Sequence, residues 1–405
     1  MKRQNNQISK FTSFRISFVV LSILTFCHAA GFLQTELDEF ILEKMKRDTV
    51  PGVSACIVKE NKLVWSKGFG WANIEKKIPM TADTIQNIGS ISKTVTATAI
   101  MQLWEKGRFK LDDDVNKYLS FEVRNPRFPD VPITFRQLLT HRSSIKDGPA
   151  YGKSYACEDP TISLKDWIKE YFTPQGKYYD GEKNFHIWKP GIEVVPKGPR
   201  AYTNVGFGLL GYLVEVISGM DFAQYCQEHV FGPLGMEQTG WHLSDIDISN
   251  HAVPYSYVSE KFEAFLPKYD KGKQPKKIGD LFPHCLYSFP NYPDGLVRTS
   301  VRELSKFLRA YMNGGTYQDV QILKPETIQN ILSDKHFGRG LCWAMSGNEN
   351  GDISWGHTGG DPGIGTIMRF WPKDGIGVII FFNYGSPRKA MGEIYDRLIE
   401  EAAKY

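Results

Sequence analysis

The sequence lacks the marks of several large functional classes. Six cysteines stand among 405 residues, none spaced as C-x-x-C, which excludes the paired-thiolate zinc and redox motifs. Net charge is only +4, and no RRM, zinc-finger or basic-zipper pattern accompanies it, so nucleic acid is not an expected partner. H-E-x-x-H is missing, and with it the zincin reading. G-x-S-x-G is missing, and with it the strand-to-helix elbow of an α/β-hydrolase. Gly152-Lys153-Ser154 resembles the end of a phosphate loop, but the glycine that loop requires is Asp147. Asp112-Asp113-Asp114 lacks the alternation of an EF-hand loop and reads as a solvated turn. There is no N-x-S/T sequon, no repeat and no low-complexity linker. Neither a metal nor a cofactor is expected.

What is present describes a globular protein: 41% hydrophobic and 23% charged residues. The length suits two domains, or one large domain with an inserted lobe. The first 30 residues read as a signal peptide. Lys2, Arg3, Lys10 and Arg15 precede an apolar core from Phe18 to Phe26, and small Ala29 and Ala30 follow. The apolar core is short for a bilayer span, so an uncleaved anchor is the lesser alternative. Bulky Phe26 disfavours lipid attachment at Cys27. After cleavage five cysteines remain. Cys56, Cys226 and Cys342 lie in apolar patterns and are expected as buried thiols. Cys157 and Cys285 lie in loop-like stretches and are the one pair suspected of bridging.

The pattern predicts a helix over 32–46, then a hairpin of 53–58 and 63–68 joined by Lys59-Glu60-Asn61-Lys62. The meander continues through 71–78, and a buried helix runs from Ser90 to about Gly107. Shorter helices are expected over 135–141, 164–172, 202–217, 221–230, 301–311 and 325–332. Strands return over 340–345, 352–355, 364–371 and 375–382, before a final helix over 391–403. Strands at both ends with helices between imply an α+β fold. Its antiparallel sheet is built from both chain ends (about 31–110 and 297–405), with a mostly helical lobe inserted over about 111–296. The loops over 145–200 and 253–295 are expected to shape the binding cleft.

Chemistry concentrates at Gly89-Ser90-Ile91-Ser92-Lys93. Three residues along a helix is ~300° of rotation and ~4.5 Å of rise, so Ser90 and Lys93 leave on nearly one face. A basic neighbour can take the hydroxyl proton, and N–H groups at a helix start can stabilise an oxyanion. S-x-x-K alone is weak: Ser143-Ser144-Ile145-Lys146 is a second copy, running into a turn. Two further elements follow in order, Tyr202-Thr203-Asn204 and His357-Thr358-Gly359. The first also has a copy, Tyr311-Met312-Asn313; the second occurs once.

Together the three elements resemble the serine hydrolases of the class C β-lactamase and D-alanyl-D-alanine carboxypeptidase superfamily. The likeness extends to Pro51-Gly52-Val53, Lys67-Gly68-Phe69-Gly70, Leu138-Leu139-Thr140-His141, Gly206, Gly208 and Trp355-Gly356 before the last triplet. It implies a β-lactamase/transpeptidase-like fold over 31–405, with Ser90 as nucleophile and Lys93 as its base or proton relay. Tyr202 would be the second proton-transfer group, and Asn204 would orient Lys93 and the substrate. His357, Thr358, Gly359 and Gly360 would line the substrate, His357 standing where lactamases carry lysine. The backbone N–H groups of Ser90 and Gly360 would form the oxyanion hole. Either Lys93 or Tyr202 can serve as the base on these grounds. Beside a charged Lys93, His357 should lose its proton easily and offer a hydrogen bond. The family's Leu-Leu-Thr-His-Thr-Ser-Gly departs here to Leu138-Leu139-Thr140-His141-Arg142-Ser143-Ser144, and His141 reads as structural. The expectation is a secreted or periplasmic hydrolase of a D-Ala-D-Ala peptide, another D-amino-acid peptide or a small ester, with a β-lactam the less favoured substrate, touching membrane only through its signal segment. The alternative is an inactive scaffold of the same fold.

Overall fold

The computed structural model describes residues 35–192, 202–257, 276–333, 339–347, 351–385 and 388–405. The expected signal segment and parts of both expected cleft loops lie outside these. The chain divides between Phe40 and Ile41, and the rest of this description concerns Ile41–Tyr405.

Helix α1 (Glu36–Arg47) comes first among the described elements. A hairpin follows, β1 (Gly52–Lys59) and β2 (Lys62–Asn73), with Lys59 opposite Lys62. Glu60 and Asn61 both take positive φ, 48° and 60°, the turn geometry whose twist matches that of its flanking strands. Strand β3 (Ile78–Pro79) closes the meander at the sheet edge. The far end of the chain supplies β4 (Ala344–Gly347), β5 (Ile353–Asp361), β6 (Ile364–Trp371) and β7 (Ile376–Phe382). Seven strands form one sheet in the order β4-β5-β6-β7-β1-β2-β3, antiparallel throughout. The sheet built from both chain ends is therefore observed, and β7 pairing with β1 is the seam. β7 is buried along its whole length and β1 at all but Lys59, as continuous apolar runs require of central strands.

Between the two sheet halves run α2 (Ser92–Glu105), α3 (Phe135–Leu139), α4 (Leu164–Phe172), α5 (Val205–Ser218), α6 (Val301–Met312) and α7 (Pro325–Ser333), and α8 (Arg388–Ala402) follows β7. Helices α6 and α8 pack on β1 and β7, and α2 packs on α5. In the inserted part, loop and single-turn helix make up more of the described residues than the long helices do. No single helix among the described residues is long and apolar enough to cross a membrane.

Two strand boundaries differ from expectation. The strand expected at 340 begins at Ala344, because Cys342 takes φ 75° and donates its N–H to the Leu139 carbonyl at 2.9 Å, leaving 340–343 a turn. Strand β5 runs on through His357-Thr358-Gly359-Gly360, since β6 pairs with it residue by residue to Asp361. Cys157 and Cys285 are joined in a disulfide, as suspected, and Cys56, Cys226 and Cys342 are buried thiols.

Candidate active site

Ser90 lies in a single 3-10 turn, Gly89–Ile91, that flows into α2. Gly89 has φ 54°, and a Cβ there would stand 2.9 Å from the Gly360 nitrogen, so only glycine lets the turn sit this close to β5. Its N–H donates to Asn87 Oδ1 at 2.7 Å, which pins the turn from the other side. Lys93, the second residue of α2, is wholly buried. Its Nζ donates to Asn204 Oδ1 at 2.7 Å and to the Asp294 carbonyl at 2.7 Å, and stands 3.2 Å from Ser90 Oγ. The Asp294 carboxylate is 3.4 Å away.

Asn204 immediately precedes α5, and Asp147 orients it. Asp147 accepts the Asn204 and Val205 N–H groups at 2.8 and 3.0 Å on one oxygen, and Asn204 Nδ2 at 2.9 Å on the other. With its amide nitrogen so engaged, Asn204 must turn Oδ1 towards Lys93. Tyr202 lies over Lys93, whose Nζ is 5.0 Å from the ring centroid, and its buried hydroxyl makes no hydrogen bond. His141 stacks on that ring at 4.1 Å, and its Nδ1 accepts the Thr203 N–H at 3.3 Å. The histidine read as merely structural is thus the backing of Tyr202.

His357, Thr358, Gly359 and Gly360 line the wall opposite, on β5, with the His357 and Tyr202 rings 6.5 Å apart. His357 Nδ1 is 2.7 Å from the Thr358 carbonyl. A carbonyl only accepts, so Nδ1 carries the proton and Nε2 is a bare acceptor, buried without a partner. Burial, then Lys93, holds this imidazole down to about 3, so it is neutral at any working pH. The hydrogen bond that His357 offers is therefore one it accepts.

Burial pulls the Lys93 ammonium down, but Tyr202, Asp294 and Asp147 outweigh it, and Lys93 ends above the ordinary lysine value. Burial pushes the Tyr202 hydroxyl up against the opposing pull of Lys93 and Ser90.

The duplicate motifs go elsewhere. Ser143–Lys146 is irregular chain, with Ser144 at φ 62° and its hydroxyl accepting from Asn125. Tyr311 is core, its hydroxyl 2.7 Å from that of Thr98. Asp147, Asp294 and Asn87 were not singled out from sequence. Asp147 and Asp294 each sit in a Pro- and Gly-containing turn that carries no chemical signature of its own.

Residues 37–403 match the Beta-lactamase family model. The chain belongs to the beta-lactamase family. The family is one of serine hydrolases, and the fold is the β-lactamase/transpeptidase-like one. The chain is 27% identical over 348 residues to the putative penicillin-binding protein PbpX of Bacillus subtilis, covering 86% of this chain and 74% of that protein. It is 21% identical to protein flp of Staphylococcus aureus over 87% of its own length, and spans 64% of that longer protein. The D-amino acid amidase of Ochrobactrum anthropi superposes with a TM-score of 0.68 at 21% identity, covering 91% of this chain and 99% of that one; at that identity the likeness is one of fold.

Proposed function

We propose that the protein is an exported serine hydrolase that opens an amide or ester bond through an acyl-enzyme on Ser90. The observation that carries this reading is the Lys93 Nζ, buried and 3.2 Å from Ser90 Oγ, with Asn204 and Tyr202 closed round it at the start of a buried helix. Ser90 Oγ attacks the carbonyl carbon as its proton passes to the Lys93–Tyr202 pair, and the pair returns that proton to the leaving amine or alcohol. Asn204 holds Lys93 in line. The backbone N–H groups of Ser90 and Gly360, brought together by the Gly89 turn, are the donors for the oxyanion. Thr358 and Gly359 edge the substrate, and His357 Nε2 accepts a hydrogen bond from it. Water then releases the acyl group by the same route.

Export is supported by the signal-like first 30 residues and by the Cys157–Cys285 disulfide, a bond that persists in oxidising compartments. The amide half of the reading is supported by the penicillin-binding relative and the ester half by the neutral His357. The test is an intact-mass time course with a reactive fluorophosphonate on the wild type and on Ser90→Ala. A single adduct on the wild type alone is expected. No adduct on the wild type, or equal labelling of both, would sink the hydrolase reading in favour of a scaffold of the same fold.

A further inference from the structure

Lys93 has a carboxylate beside it that its other partners do not require. An ammonium has three N–H bonds. Two are committed to groups that can only accept, Asn204 Oδ1 and the Asp294 backbone carbonyl, both at 2.7 Å. The third position lies between Ser90 Oγ at 3.2 Å and Asp294 Oδ2 at 3.4 Å. If a proton occupies it, Lys93 donates to the serine; if a lone pair does, Lys93 is the base. A lone pair there would face a carboxylate oxygen as well as the serine, so the charge beside it decides. That charge is the Asp294 carboxylate, 2% exposed and 3.4 Å from Nζ.

Asp294 is built into this place. Its Oδ1 accepts from Asn291 Nδ2 at 3.0 Å and its Oδ2 from the Tyr151 hydroxyl at 2.9 Å. Asn291 also donates to the Asn204 carbonyl at 3.0 Å, and it can come this close because Gly208 has no side chain: a Cβ there would lie 1.8 Å from Asn291 Oδ1. Beyond Tyr151 the chain of contacts continues. The Tyr151 hydroxyl lies 3.4 Å from that of Tyr155, which donates to Asp361 at 3.0 Å. Asp361 follows Gly360 directly.

The protons of this chain can be counted. With both carboxylates ionised, each tyrosine spends its proton on its own carboxylate, and the tyrosine–tyrosine contact holds none. One added proton on Asp361 reverses Tyr155, which then donates to Tyr151, and every contact holds a proton. Asp361 is the end of the chain remote from Lys93, so the proton rests there and the charge at Asp294.

We propose that Asp294 is a positioning residue for the chemistry at Ser90: its carboxylate keeps the third proton on Lys93, so Lys93 donates to Ser90 and the serine proton leaves through the oxygen of Tyr202. The inference rests on the hydrolase reading of the same site. In the step, Ser90 Oγ bonds to the acyl carbon as its proton passes to the Tyr202 phenolate. The phenol then protonates the leaving nitrogen or oxygen as the acyl bond breaks, which regenerates the phenolate.

The surrounding charges agree. Burial pushes Asp361 up to about 7 and raises Asp294 as well, there against the opposing pull of Lys93. Asp147 faces Lys93 from below Asn204 and adds to the hold on its proton. The imidazoles that face Lys93, His141 and His357, supply no competing anion and are driven neutral by burial, and Arg339 acts on both of them. Cys342 is likewise buried and pushed up to about 12, a neutral thiol.

The test is the pH dependence of kcat/KM for a nitrophenyl ester, with fluorophosphonate labelling in parallel, from about pH 5 to about pH 10. The wild-type rate should rise as the Lys93–Tyr202 pair loses a proton. Asp294→Asn keeps the backbone carbonyl and removes the charge, so the rising limb should move down by about one to three pH units. Tyr151→Phe deletes one oxygen, weakens the hold on the carboxylate, and should move the limb the same way by less. A limb that stays in place while the rate falls marks a structural residue and overturns the proposal. If Asp294→Asn does not fold, Tyr151→Phe decides. Nitrogen NMR of 15N-lysine protein reads Lys93 without any turnover. Its ammonium signal should persist to higher pH in the wild type than in either variant, and equal persistence overturns the proposal. A wild type that neither labels nor turns over sinks the hydrolase reading, while the NMR result still judges Asp294.

Discussion

Gly89 shows how much of this site depends on a single missing side chain. Its φ of 54° is a left-handed conformation that an L side chain reaches at a cost of about 1–2 kcal/mol. The space is also taken, since a Cβ would meet the Gly360 nitrogen at 2.9 Å. Relief can come only by moving the Ser90 turn away from β5, which separates the two N–H groups proposed as the oxyanion donors. Gly89→Ala should therefore fold, with a slightly lowered melting temperature, and lose on the order of 100-fold or more in fluorophosphonate labelling rate, the scale of one lost oxyanion donor. Labelling at the wild-type rate would show that the two strands of the site tolerate the shift. The same scale shows what sequence reading reaches. The Ser90–Lys93 spacing is local and legible, because three residues on a helix fix a direction whatever surrounds them. The role of His141 was not legible. Its use depends on Tyr202, 61 positions further on, lying against its ring at 4.1 Å.

Among the elements, the two short strands around the disulfide deserve a prediction of their own. Ala156–Cys157 pairs with Tyr287–Ser288, and the bridge spans 128 positions. Tyr155, two residues before Cys157, packs on Phe289 and Tyr287 at 4.4 and 5.7 Å and reaches Asp361. The disulfide thus ties the Tyr151–Tyr155 segment against the cleft wall. Replacing both cysteines with serine, or reducing the bridge, should lower unfolding free energy by about 2–5 kcal/mol in urea titrations. An unchanged midpoint would mean that the aromatic cluster alone holds this segment. Elements were mostly legible from periodicity: 364–371 was read to the residue. The miss at 340–343 came from a backbone N–H that bonds to Leu139 instead of to a neighbouring strand, a choice made 203 positions away and absent from any local pattern.

Over the whole molecule, the decisive feature is the seam between β1 and β7. β7 pairs with β6 on one side and β1 on the other, from Val53 opposite Phe382 to Lys59 opposite Ile376. The Ser90 turn packs directly on this sheet, and α5, which follows Asn204, reaches it through α2. A chain ending at Trp371 would expose the paired edges and inner faces of both β1 and β6, and remove α8. It should show no cooperative thermal unfolding and no near-ultraviolet circular dichroism of a packed core; a sharp transition would contradict the seam as the organising contact.

By itself, the sequence determined the α+β class, the sheet shared by the two chain ends, the Ser90 helix and the suspected pairing of Cys157 with Cys285. These follow from periods of two and 3.6 residues and from turn and loop chemistry, which act over a few positions. Only the tertiary structure decided which S-x-x-K and which Y-x-N meet, which nitrogen of His357 is bare, and that Asp147 and Asp294 stand behind Asn204 and Lys93. The last pairing joins residues 201 positions apart. A charge in water loses its influence within about 10 Å, so what a carboxylate does to a lysine is set by where the folded chain puts them and how dry that place is.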